Sequence, residues 1–124
     1  MTMTNTLPKI KFTADSEPNE IPMTFEFQHS EHSLSRALQR GLTETHLRLA
    51  LKYGKVFRKQ GMQFYVLGEK DLPDNVTKEV RRFSNTIVLV SGQSNSIITC
   101  YRNNDPYRFV KRKSKLLKPF RNAA

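Results

Sequence analysis

The chain has 124 residues, with 21 Lys and Arg against 11 Asp and Glu, so its formal net charge at pH 7 is +10. This length fits one domain, and because no run of 18 apolar residues occurs we expect no membrane span. Cys100 is the only cysteine, which excludes an internal disulfide and a cysteine-based metal cage and favours a reducing compartment, the cytoplasm.

Residues 1–22 predict a flexible acidic leader. They mix Met, Thr, Asn, Pro and acids without a hydrophobic period of 2 or 3.6, which is typical of disorder. Because this is the only net-acidic segment, an alternative is an extended arm that covers the basic site of the same chain.

The first ordered elements are a strand and a helix. Residues 23–27 alternate apolar and polar side chains, as a strand with one buried face does. Ser30 then suits the N-cap of a helix, and Gly41 supplies the left-handed residue that ends it. Leucines 34 and 38 and Ala37 recur at helical spacing, so we expect them to face the core.

A second helix is predicted over residues 44–53. Thr43 is its N-cap, and Gly54 is expected to end it in the left-handed conformation. Leu47 and Leu51 fall on the buried face, and His46 is expected on the surface.

Beyond Gly54 the hydrophobic period changes to 2. Strands are predicted over residues 55–59 and 62–67, with a hairpin at Gln60 and Gly61. The nearly all-apolar run 86–90 predicts a central strand covered on both sides, and residues 96–101 form the last predicted strand. Together these elements predict an α+β domain over residues 23–106, with two N-terminal helices packed on a roughly four-stranded antiparallel sheet. Its single core is predicted to contain Phe25, Phe27, Leu34, Leu38, Leu47, Leu51, Val88 and Ile98.

A basic tail is predicted over residues 107–124. Between Tyr101 and Arg121 eight cations face Asp105 alone, and aromatic rings are interleaved with them. Cations of this kind bind phosphates and aromatic rings stack with bases, so RNA or DNA is the expected partner. The alternatives are an acidic protein partner and a disordered tail that only aids solubility. The nucleic-acid-binding residues expected here are Thr99, Arg108, Lys111, Arg112, Lys113 and Lys115.

The first helix carries the residues suited to chemistry. His32, Arg36 and Arg40 stand at i, i+4 and i+8, which aligns them on one helix face. An imidazole is an acid or base near neutral pH, and guanidiniums hold phosphate oxygens and stabilise transition-state charge. Attack of an RNA 2′-hydroxyl on its own phosphate requires only these groups, so we expect no metal and no cofactor. The alternative is an ordinary solvated helix face.

The last predicted strand adds three candidates. Thr99 and Tyr101 are expected on one face, with Ile98 and Cys100 on the other, and Arg102 follows. Tyr101 would orient the scissile phosphate or stack a base, and His32 is expected across a groove from Tyr101 and Arg102. Ordinary strand packing is the alternative.

Residues 24–102 resemble the domain of unknown function family numbered 4258. The resemblance is carried by His32, Arg36, the run Arg40-Gly41-Leu42-Thr43, the run Tyr53-Gly54-Lys55, residues 61–65 and 86–90, and the run Ile98-Thr99-Cys100-Tyr101-Arg102. That family is similar to the RelE/ParE and barnase-like toxins, many of which are metal-independent ribonucleases encoded beside an antitoxin. The resemblance implies that fold, RNA cleavage and an antitoxin partner, and the basic charge of the chain suggests that such a partner is acidic. It also implies a site formed by His32, Arg36, Arg40, Thr99, Tyr101 and Arg102.

The function predicted from these observations is a metal-independent endoribonuclease of toxin type. Two alternatives remain: a non-catalytic basic module that binds RNA or DNA, and a toxin-like inhibitor of a protein target. Cleavage requires His32 itself, whereas binding requires only charge, so the two differ in what a single substitution does.

Overall fold

The computed structural model describes residues 7–15 and 17–113. Its strands are β1 (Lys9–Thr13), β2 (Thr24–His29), β3 (Lys55–Lys59), β4 (Met62–Leu67), β5 (Thr86–Ser91) and β6 (Ser96–Arg102). Its helices are α1 (Glu31–Gln39), α2 (Glu44–Tyr53), α3 (Lys78–Arg81) and α4 (Pro106–Lys111), with a 3-10 turn at Glu69–Asp71. Within these described ranges no helix has the length and apolar character needed to cross a bilayer.

All six strands form one sheet in the order β1-β2-β6-β5-β4-β3. Every neighbouring pair is antiparallel except β2 and β6, which run parallel. The expected roughly four-stranded antiparallel sheet with two N-terminal helices is therefore wrong: the fold is α+β with a six-stranded mixed sheet and four helices in the described part. The parallel pair joins segments some 68 residues apart, and no local sequence pattern reports such pairing.

Part of the predicted flexible leader is a strand. Residues 9–13 pair along their whole length with β2, and Ile10, opposite Phe27, is fully buried. Lys9 and Lys11 both lie within 4 Å of Glu26 on the outward side. The apolar face of β1 extends the core, so this segment completes the sheet edge and packs on α2.

The two main helices begin and end largely as their caps predict. Ser30 and Thr43 each accept a hydrogen bond from the backbone N–H three residues later. Gly41 has φ +67°, the left-handed conformation expected after α1. Gly54 is extended instead, with φ −68°, and a Cβ there would overlap the Ala50 carbonyl oxygen and lie about 3.1 Å from the Val66 backbone. Gly54 is thus required by the close packing of the α2 and β4 backbones around it rather than by a left-handed turn.

The sheet carries a separate apolar cluster on each face, so the expectation of one core is wrong. The cluster beneath α1 and α2 includes Phe27, Leu47, Leu51 and Val88, with Phe25 packed at its margin. The cluster beneath α4 consists of Phe64, Val66, Ile87, Leu89 and Val110, with partly buried side chains, among them Ile98 and Tyr101, around it.

Helix α1 is rotated relative to the expected orientation. Leu38 is 74% exposed and Leu34 is half-buried, whereas Ser33 and Ala37 are buried against the sheet. Small side chains let the helix approach β6 closely, and Ser33 Oγ lies 2.7 Å from His29 Nδ1 at the end of β2. Close approach and this polar contact therefore outweigh burial of Leu38.

A β-bulge changes the facing of β6. Leu89 lies opposite Thr99 and Val90 lies opposite Ile97, which leaves Ile98 as the extra residue. Ile98 consequently packs in the α4 cluster together with Tyr101, and the expected sharing of a face by Ile98 and Cys100 is wrong.

Residues assigned to the basic tail begin as a helix docked on the sheet. Val110 of α4 is fully buried, and the Tyr107 hydroxyl donates a short hydrogen bond to Asp71. The ammonium of Lys59 donates to the carbonyls of Val110, Lys111 and Lys113 at 3.0, 2.9 and 3.1 Å. Residues 106–111 therefore belong to the folded domain, while residues 114–124, with Lys115, lie outside the described residues.

Candidate nucleic-acid interface

On its edge away from β5, the C-terminal half of β6 is flanked by a helix rather than by a strand. Strand β2 pairs with β6 only at Gln28 opposite Ser96 and His29 opposite Ile97, because α1 begins two residues after His29. Helix α1 then packs along β6. Here a side chain satisfies the backbone: Arg40 Nη1 donates to the carbonyl of Cys100 at 2.6 Å.

Arg40 also begins a line of alternating cations and rings. Its guanidinium carbon lies 4.9 Å from the ring centre of Tyr101, and the Tyr101 and Phe109 rings are 5.5 Å apart. The ammonium of Lys113 lies 4.8 Å from the Phe109 ring centre. We call Arg40, Tyr101, Phe109 and Lys113 the basic-aromatic ridge; it joins the end of α1 to α4 across β6.

An open cleft of about 740 Å³ lies beside this ridge. Among the described residues that line the cleft, Asp105 is the one acid, and its side chain accepts from the Arg108 backbone N–H as the N-cap of α4. Arg108 and Arg112 are exposed. The cleft is therefore predominantly cationic, and its lining residues are Gln60, Asn103, Asp105, Arg108, Phe109, Arg112 and Lys113.

The predicted alignment of His32, Arg36 and Arg40 on one face of α1, which we call the α1 stripe, is present at the surface for the first two residues. The ring Nε2 of the exposed His32 accepts from Arg36 Nε at 3.4 Å, and Arg36 Nη1 donates to Gln39 at 3.0 Å. Arg40, one turn further on, leaves the stripe to reach β6. The α1 stripe and the ridge thus meet at Arg40.

Arg102 lies in a different place from the one expected. Its Nη2 donates to the carbonyls of Arg82 and Ser84 at 3.1 and 3.2 Å, which holds it against the segment before β5. Among the described contacts, Arg40 rather than His32 reaches Tyr101. The histidine whose pKa the charge of Arg102 lowers is His46.

His46 is buried, contrary to the expectation that it lies on the surface, with 7% of the residue exposed. Its Nδ1 accepts from the Thr43 backbone N–H at 3.0 Å, and its ring meets Phe83 edge-on at 4.6 Å. Burial lowers the pKa of His46 from its ordinary value, and the charges of Arg102 and Arg82 lower it further. The Thr-x-x-His spacing in the sequence could have indicated that His46 is held against Thr43. In a capping box the side chain three residues after the N-cap bonds to the N-cap backbone N–H.

The remaining candidates differ in their access to solvent. Thr99 is buried opposite Leu89, whereas Lys111 is exposed on α4. Burial raises the pKa of the Cys100 thiol to about 11, so it is a neutral core side chain near pH 7. No group of three or more His, Cys, Asp or Glu side chains in residues 7–15 and 17–113 is placed to hold a metal ion.

The chain matches no family model, no curated protein and no solved structure. The resemblance to family 4258 therefore stays a prediction.

Proposed function

We propose that this protein binds single-stranded RNA through the basic-aromatic ridge. The observation that carries the proposal is the unbroken contact from Arg40 over Tyr101 to Phe109 and Lys113, with distances of 4.9, 5.5 and 4.8 Å. Both rings are half-buried and so keep part of their surface in solvent. Unpaired bases stack on such aromatic rings, and the cations beside them contact the phosphates.

The charge on this surface supports the proposal. Within the described ranges the ion pairs involve Lys9, Lys11, Arg48 and Lys52, and none of them includes a ridge or cleft cation. Uncompensated cations around half-buried rings attract a polyanion that also has stacking faces, which single-stranded nucleic acid supplies.

A matched pair of tyrosine substitutions tests the ridge. Tyr101→Leu removes the central ring and keeps an apolar side chain, and Tyr53→Leu makes the same change on α2, away from the ridge. With a labelled single-stranded RNA of about 12 nucleotides, Tyr101→Leu should weaken binding about 5- to 100-fold, the range for one lost base stack. Tyr53→Leu should bind as wild type. Equal affinities for the two variants, both confirmed folded by thermal melting, would contradict the proposal.

Cleavage of the bound RNA is a second candidate function. It is favoured by His32, which is exposed on the same helix as Arg40 with its Nε2 3.4 Å from Arg36. When Arg36 turns from His32 to the phosphate, the freed Nε2 takes the proton of the 2′-hydroxyl, whose oxygen bonds to phosphorus while the bond to the 5′-oxygen breaks. The leaving oxygen takes a proton from water, the imidazolium returns its proton to the hydroxide so formed, and the products are a 2′,3′-cyclic phosphate and a 5′-hydroxyl end. Arg36 would stabilise the charge on the phosphorane oxygens.

The cleavage test compares His32→Ala with Ser35→Ala, an exposed residue on the same helix, in EDTA. Loss of a general base should lower the rate by about 10²- to 10⁴-fold, while RNA affinity is retained because the ridge and its cations are unchanged. Ser35→Ala should cut as wild type. If His32→Ala cuts equally, or if no protein cuts RNA, cleavage is refuted and the binding proposal is unaffected.

The proposal extends to the setting of the protein. Its only cysteine is a buried free thiol, which supports a reducing compartment such as the cytoplasm. An acidic protein that covers the ridge, as an antitoxin does, is the protein partner that this charge would accept.

A further inference from the structure

A second group of cations surrounds Phe83, away from the ridge. The guanidinium carbon of Arg82 lies 5.2 Å from the Phe83 ring centre, and the His46 ring lies 4.6 Å from it. Arg102 bonds to the carbonyls on both sides of Phe83, those of Arg82 and Ser84. Three segments, the start of α2, the end of α3 and the end of β6, therefore bring their positive or protonatable groups together.

Among the described residues no acidic side chain forms an ion pair with this group. In the described part of the chain neither Arg82 nor Arg102 forms an ion pair, and the two hydrogen bonds of Arg102 use one nitrogen of a guanidinium that has five N–H donors. Gathered like charges repel, so folding them together is favoured when an anion lies between them.

His46 adds a buried donor. Because the Thr43 backbone N–H donates to Nδ1, the neutral ring carries its proton on Nε2. Among the described residues Nε2 has no hydrogen-bond partner, although the residue is more than nine-tenths buried. Buried donors in folded proteins are normally paired, so this N–H is available to a ligand oxygen.

We propose that Arg82, Arg102 and His46 Nε2–H together bind one phosphate group. Guanidiniums present several N–H donors to a tetrahedral oxyanion, and the imidazole N–H adds one more without adding charge. Successive side chains of a strand point to opposite faces, so this site and the ridge lie on opposite sides of the end of β6. Assigning the phosphate to bound RNA rests on the proposed function; the site itself does not.

Inorganic phosphate is the first probe. At constant ionic strength, its titration should produce a saturable shift of the His46 ring signals in NMR spectra of the whole chain. Arg82→Gln and Arg102→Gln should each weaken this binding about tenfold, as expected for the loss of a charge-assisted contact. Arg58 is an exposed residue on β3, and Arg58→Gln makes the same change in charge. This control variant should bind phosphate as wild type does.

Arg102→Gln also removes two backbone contacts, so Arg82→Gln, whose guanidinium makes none of the hydrogen bonds described, decides the result. A second arm repeats the measurement with the single-stranded RNA. If RNA shifts the His46 signals and Arg82→Gln weakens RNA binding, the site binds a phosphate of the nucleic acid. If inorganic phosphate shifts these signals and RNA does not, the ligand of the site is free phosphate. Both results support the site. If neither probe shifts His46 beyond the effect of sodium chloride, or if Arg82→Gln binds as wild type, the site is refuted and the ridge proposal is untouched.

Discussion

The two faces of the sheet are covered unequally. On one face α1 and α2 bury a continuous cluster that runs from Ile10 of β1 to Leu47 of α2 and Val90 of β5. On the other face the six-residue α4 covers a smaller cluster, and around it Tyr101 and Phe109 stay half-buried. We call these the two-helix face and the α4 face.

This difference separates stability from recognition. Stabilisation rises with the apolar area removed from water, so we expect the two-helix face, which has more buried apolar side chains, to contribute more to the folding free energy than the α4 face. The α4 face leaves rings that are held in place by their neighbours and still reach solvent, which is the condition for stacking a base. Three measurements test this division.

The largest expected effect is on the two-helix face. Leu47 is fully buried between α2 and the sheet, so Leu47→Ala should lower the free energy of unfolding by about 2–5 kcal/mol. Leu38→Ala, on the exposed side of α1, should change it by less than about 0.5 kcal/mol. Chemical denaturation measures both, and a large loss for Leu38→Ala would mean that α1 presents its leucines to the core after all.

A smaller and local effect is expected on the α4 face. Lys59→Met removes the ammonium that donates to three carbonyls at the end of α4, a loss of about 1–3 kcal/mol for contacts to a charged group. Hydrogen exchange should accelerate at the amides of α4 and remain unchanged in α2. Arg58→Met, the exposed neighbour on β3, serves as the control. Uniform acceleration in both helices would show that the two faces unfold as one unit.

The smallest effect is a pH dependence of the two-helix face. Burial lowers the pKa of both His46 and His29. The charge of Glu44 opposes this shift at His29, whereas the charges of Arg102 and Arg82 lower the pKa of His46 further. Below the ordinary value of 6.5 the unfolded chain therefore binds more protons than the folded protein. The free energy of unfolding should fall as the pH drops from about 7 to 5.

His46→Gln isolates one of these groups. Glutamine at this position keeps the acceptor of the capping box and does not titrate. Denaturation curves should show a weaker pH dependence for this variant than for wild type over the same range. An unchanged dependence would assign the whole effect to His29.

The sequence determined the local structure because the signals for it are local. Ser30 and Thr43 placed the helix starts, and Gly41 ended α1. After α2, the hydrophobic period of 2 located the hairpin strands β3 and β4, and a nearly all-apolar run located β5. These features depend on hydrogen bonds and dihedral angles within a few residues, which a sequence reports directly. The spacing of His32 and Arg36 on one helix face belongs to the same class.

Only the tertiary structure decided which segments meet. The pairing of β1 with β2, the parallel pairing of β2 with β6 and the contact of Arg40 with Tyr101 each join residues that no short pattern connects. The placement of Arg102 with His46 rather than with His32 follows from where the end of β6 lies relative to α2. Such contacts depend on how whole faces pack together, and packing is the sum of many weak interactions between distant segments.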